Sequence, residues 1–123
     1  MKIITWNINS RTKEETLKGQ SDFLKSGDFD FITLQEVTLN SEGFFKESFK
    51  DMYILSSFDL VSDKSILVKN RKYGQLIISK KPIKFVSDPC TEIPFPERVL
   101  SGFIEIFGLE IHTTHVPPGS SNG

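Results

Sequence analysis

The chain has 123 residues, 37% of them apolar, which suits one compact domain and leaves no room for a second core. Its 11 phenylalanines argue against disorder and supply the bulk of that core. A formal net charge of -1 excludes any global signature of a nucleic-acid or anionic-membrane binder, so such a role has to be read from local features.

Residues 2–8, KIITWNI, are β-branched and apolar on both faces, which predicts a buried strand. Thr12 and Glu15 have the spacing of a capping box and open a helix over KEETLKGQSDFLKS, with Leu17 and Leu24 on one side and Gly27 as its stop. FDFITLQEV is the next strand. A strand that returns through a helix to a parallel neighbour crosses over right-handedly and brings both carboxyl ends to one rim of the sheet. Those ends carry Asn7 and Glu36, and open α/β sheets bind ligands at that rim. If the two strands are adjacent, both side chains converge on a site able to hold a cation.

SEGFFKESFK predicts a short second helix, with Ser41 as a cap and Phe44, Phe45 and Phe49 toward the core. MYILSSF, SILVK and YGQLIISK then read as short strands, and PCTEIPFPE, with three prolines in eight residues, as a loop. RVLSGFIEI and LEIHTTHV predict a hairpin turned at Phe107 and Gly108. Alternation puts Leu109, Ile111, Thr113 and His115 on one face of its second strand, and Glu110, His112 and Thr114 on the other. The fold class expected is α/β (α+β), with a mixed central sheet and helices on its outer face.

Between Asp63 and Asp88 lie Lys64, Lys69, Arg71, Lys72, Lys80, Lys81 and Lys84 with no acidic residue among them. This basic segment either faces phosphates or guards strand edges in solvent. Cys90 is the single cysteine, so no intrachain disulfide forms and a reducing cytoplasm fits. No basic start leads into an apolar run, and no stretch of about 18 apolar residues occurs, so neither signal peptide nor membrane contact is expected.

ITWNINSR, DFITLQEV, YGQLIISK and LEIHTTHVPPG, in that order and at those spacings, resemble the N-terminal half of the endonuclease/exonuclease/phosphatase superfamily, the exonuclease III and deoxyribonuclease I-like group. The resemblance runs through residues 1–123, so the chain reads as the N-terminal portion of that domain with the C-terminal half absent. It implies half of a four-layer α/β sandwich and Mg²⁺-dependent hydrolysis of phosphodiester or phosphomonoester bonds, with Mn²⁺ as an alternative ion. Glu36 matches the family's metal-binding glutamate, Asn7 its active-site asparagine, and His115 a histidine or tyrosine that donates a hydrogen bond to the phosphate. Asn9 falls where some relatives carry an acid near the metal, provided the strand stays extended. Arg11, Lys72 and Arg98 are candidate phosphate contacts, although each reads more readily as a surface charge.

Elementary chemistry agrees with the metal assignment, because Mg²⁺ takes oxygen ligands, keeps several waters and accepts one or two protein carboxylates. The family's Asp-x-Asn and Asp-His pairs have no counterpart in these residues, which predicts a catalytically deficient fragment. An inner face left open by a missing half would favour self-association. The function expected is that of a nuclease, on DNA rather than RNA. The alternatives are a phosphatase or phospholipid phosphodiesterase of the same superfamily, or a non-catalytic binding module.

Overall fold

The structure, a computed structural model, describes residues 1–60, 73–86 and 99–114. Strand β1 (Ile3–Asn7) runs parallel to β2 (Phe31–Val37), in register from Ile3 opposite Phe31 to Asn7 opposite Gln35. Helix α1 (Glu14–Ser26) makes the crossover between them and buries Leu17 and Leu24, as their spacing requires. Its start differs from expectation. The N-cap is Lys13 and makes no side-chain capping bond, so the Thr12 and Glu15 box does not form. At the other end Gly27 keeps φ -75°, and the left-handed step falls on Asp28 at φ 51°.

Helix α2 (Leu39–Ser48) begins two residues before the predicted cap at Ser41. Thr38 is the N-cap: its hydroxyl accepts from the Ser41 N–H at 3.1 Å, and Ser41 Oγ accepts from the Thr38 N–H at 2.9 Å. Ser41 therefore serves as the third helical residue of the box, and such a cap contributes about 1 kcal/mol. Phe45 and Phe49 are buried and Phe44 packs against them, on the side that the spacing predicts.

β3 (Tyr53–Ser56) leads into a 3-10 turn (Ser57–Leu60), and YGQLIISK supplies β4 (Gly74–Ser79). β4 lies between β2 and β3, antiparallel to both, in a mixed sheet of order β1-β2-β4-β3. One face of this sheet packs Ile8, Ile32, Leu34, Leu76 and Ile78 against Leu17 and Leu24 of α1 and Phe45 of α2. On the other face Leu55 and Ile77 meet Ile83 and then Phe85, Leu100 and Ile111 of a second, three-stranded sheet: β5 (Lys84–Phe85), β6 (Val99–Ile104) and β7 (Leu109–Thr114). Helices, mixed sheet and second sheet form the layers expected of the fold class.

The β6–β7 hairpin has the predicted faces, with Thr113 buried and His112 exposed beside Glu110. Its tip is longer than Phe107 and Gly108 alone. A 3-10 turn (Glu105–Phe107) precedes Gly108, whose φ of 59° closes the loop in the left-handed region.

β1 overturns one expectation. It is an edge strand with Ile3, Thr5 and Asn7 exposed, and is not buried on both faces. Among the described residues the three-stranded sheet packs mainly over β2, β3 and β4, and Ile3, Thr5 and Asn7 on one face of β1 stay exposed. SILVK and PCTEIPFPE, with Cys90, lie outside the described residues. Among those described, no helix is long and apolar enough to cross a membrane.

Candidate active site

β1 and β2 end side by side, and the chain then does two unusual things. The ladder between β2 and β4 shifts register between Leu34 and Val37, and within that bulge Glu36 adopts φ 55°. Bulges re-aim side chains, and a non-glycine residue in the left-handed region carries strain of order 1–3 kcal/mol that its surroundings must hold. Beyond β1, Asn9 and Ser10 both take φ 57°, and the Arg11 N–H donates to the Ile8 carbonyl at 3.3 Å. Two successive positive φ values inside a four-residue turn match a type I′ reversal, which asparagine accepts readily.

The two distortions face each other. Asn7 Nδ2 donates to Glu36 Oε2 at 2.5 Å, and Ser10 Oγ donates to Glu36 Oε1 at 3.2 Å. The Ser10 N–H also donates to the Glu36 carbonyl at 3.1 Å. Asn7 Oδ1 accepts from the Asn9 N–H at 2.8 Å. A carboxylate can only accept and an N–H can only donate, so the Asn7 amide is held in one orientation by both neighbours.

Of the residues singled out in the sequence, Asn7 and Glu36 are thus brought into direct contact. Asn9 does not continue the strand face, because β1 ends at Asn7 and the reversal carries it away; it reaches the site through its backbone N–H. Arg11 is exposed at the end of the same turn. His115, Arg98 and Lys72 lie outside the described residues. Ser10 joins Asn7 and Glu36 without being among the residues singled out in the sequence, where the Asn-Ile-Asn-Ser run after a strand is a turn signal pointing to its hydroxyl.

The described part of the basic segment sits elsewhere. Because β4 is antiparallel to β2, Gly74 pairs with Val37 beside the site while Ser79 pairs with Phe31 at the opposite rim. Lys80 follows Ser79 and binds Asp28, Nζ to Oδ1 at 2.5 Å; Lys84 lies 3.8 Å from Glu105. The hydrogen bond from Lys80, and then its charge, hold the Asp28 carboxyl below its ordinary pKa, and the same bond raises that of Lys80. What the pair contributes is present above the usual carboxylate range and fades as pH falls through it. It fades again as pH rises past the ordinary lysine value, and solvent screens it throughout.

The oxygen donors at the strand ends are the Glu36 carboxylate, the Asn7 carbonyl and the Ser10 hydroxyl. Among the described residues no group of three or more His, Cys, Asp and Glu side chains comes together. A set with one carboxylate and neutral oxygens fits a hard divalent ion that keeps most of its waters, and does not fit a closed zinc centre.

Fold and rim together define an α/β sandwich with a carboxylate-amide pair where its two parallel strands run out. The chain belongs to the Endonuclease/Exonuclease/phosphatase family, whose sequence profile matches residues 4–121. Among solved structures it is similar to an AP endonuclease from Archaeoglobus fulgidus, with 22% identity and a TM-score of 0.70 over 97% of this chain and 42% of that one. Truncated Caenorhabditis elegans TDP2 is similar at 19% identity and a TM-score of 0.62, over 96% and 47% of the two chains. The 3′ phosphatase NExo from Neisseria, bound to a product DNA hairpin, is similar at 20% identity and a TM-score of 0.61, over 94% and 41%. The chain therefore spans less than half the length of each. No curated protein matches the sequence.

Proposed function

We propose that residues 1–123 form the N-terminal portion of a Mg²⁺-dependent phosphodiester hydrolase, a nuclease acting on DNA. The observation that carries this reading is the 2.5 Å contact between Asn7 Nδ2 and Glu36 Oε2 at the carboxyl rim of adjacent parallel strands, in a chain of this family. The names of similar structures, an AP endonuclease and a phosphatase with product DNA, support DNA as the polymer.

In this reading Glu36 anchors the ion, while Asn7 and Ser10 fix the direction in which its carboxylate points. Bound there, Mg²⁺ or Mn²⁺ supplies positive charge against a phosphoryl oxygen and the leaving oxygen. Asn9 contributes its backbone N–H, which holds the Asn7 carbonyl in place. His115 follows the buried Thr113 by two positions and donates a hydrogen bond to a non-bridging phosphate oxygen, a contact whose loss typically lowers rate about 10²–10³-fold. Arg11, Lys72 and Arg98 neutralise flanking phosphates. The single cysteine fits a reducing compartment such as the cytoplasm.

Metal-dependent DNA binding tests the reading. Titration with a short duplex should give binding that needs Mg²⁺ and weakens with added salt as phosphate contacts are screened. Binding indifferent to the metal, or none, overturns it. By itself the chain should hydrolyse supercoiled plasmid no faster than its Glu36→Ala variant, because groups acting as a unit fail together. Robust Mg²⁺-dependent cleavage overturns that deficiency. A phosphomonoesterase is the second reading, favoured by the similarity to a 3′ phosphatase; release of inorganic phosphate from 3′-phosphorylated DNA by the intact protein would select it.

The exposed Ile3 and the outer edge of β1 are proposed to drive self-association of the chain. Light scattering should then give more than a monomer mass at micromolar concentration, and a monomer mass that persists overturns the proposal.

A further inference from the structure

We infer that Gln35 is a positioning residue for Glu36, an inference that rests on the metal reading above only for its consequence and not for its geometry. Gln35 Nε2 shares its two protons among three hydroxyl oxygens: Thr5 Oγ1 at 3.0 Å, Thr113 Oγ1 at 3.0 Å and Thr33 Oγ1 at 3.3 Å. Thr113 Oγ1 passes its own proton to Gln75 Oε1 at 2.8 Å. One amide therefore ties β2 to β1 and to β7, and through Thr113 to β4, across the space between the two sheets. This polarity is kept although it leaves Gln75 Nε2 buried with no partner among the described residues.

Gln35 is the last residue before the distorted position, and its carbonyl accepts the Ile8 N–H at 3.1 Å. On the far side Val37 is fully buried and paired with Gly74. The backbone is thus pinned immediately before and immediately after Glu36. The slack of the bulge falls on Glu36 alone, which takes φ 55° and swings its carboxylate to Asn7 and Ser10. A disfavoured backbone conformation persists only where its neighbours over-determine it, and the Gln35 amide is one of the two determinants.

The test uses the full 123-residue chain and two readouts. The NMR three-bond HN–Hα coupling and carbon shifts of Glu36 report its left-handed backbone without any metal. Mn²⁺ affinity, from the EPR signal of the free ion, reports the consequence. Gln35→Leu should lose the left-handed signature and bind Mn²⁺ about 10–100-fold more weakly, the range for partners that orient a ligand. Thr113→Val should do the same to a lesser degree, with far-UV circular dichroism unchanged. If Gln35→Leu fails to fold, Thr113→Val and Thr5→Val decide by the same criteria. A folded variant set in which Glu36 keeps its left-handed signature overturns the inference. Wild-type protein that binds no Mn²⁺ sinks the metal reading instead, and the NMR comparison then decides the positioning role by itself.

Discussion

Glu36→Gln is expected to lower Mn²⁺ affinity at least about 100-fold, since outer partners of a ligand alone are worth about 10–100-fold and Glu36 would be the ligand itself. Among the described residues it is the one carboxylate at the strand ends, and the neutral oxygens of Asn7 and Ser10 hold a dehydrating divalent ion poorly without it. The fold should survive, because Glu36 is half-buried at the rim and belongs to neither apolar cluster. EPR of free Mn²⁺ alongside a urea titration separates the two quantities. An unchanged affinity would place the cation elsewhere and remove the ground for a nuclease.

Phe58→Ala is expected to cost about 3–5 kcal/mol, a large share of the roughly 5–15 kcal/mol that stabilises an ordinary domain. Phe58 is fully buried in the 3-10 turn after β3, and its ring lies against the backbone of Gly74, where an added Cβ would come within 2.7 Å. The position is a junction. The Phe58 N–H donates to Ser56 Oγ at 3.2 Å, and the Ser56 hydroxyl in turn donates to the buried Glu42. Truncation leaves a cavity beside the first residue of β4, the residue that pairs with Val37 next to the bulge. Urea unfolding measures the loss, and a change below about 1.5 kcal/mol would show that this corner collapses freely around the missing ring.

The site is finely balanced because it joins local strain to long-range packing. The Asn7 and Glu36 contact spans a helical crossover, while Ser10 lies three residues after Asn7 and Gln35, the positioning residue inferred above, immediately precedes Glu36. Each acts through a different neighbour, Ser10 from the reversal after β1 and Gln35 from the gap between sheets. The lysines that the sequence gathers near residues 80–84 do not join them, since an antiparallel β4 delivers Lys80 to the opposite rim and to Asp28.

What the sequence by itself determined were features with a local period or a short-range rule. Strand, helix and strand in succession implied that the ends of β1 and β2, with Asn7 and Glu36, share one rim if the strands are neighbours, and the structure pairs them in parallel. Leu17 and Leu24 show in the helical repeat of α1, and the buried Thr113 against the exposed His112 shows in the alternation of β7. Only the tertiary structure decided that β1 is an edge and that Thr38 caps α2. It also decided that Glu36 bears the bulge and that Gln35 reaches Thr113, 78 positions along the chain. The physical reason is that coverage of a face, the choice among near-equal caps and the residue that absorbs a register shift depend on which distant segment packs alongside. No window of neighbouring residues carries that information.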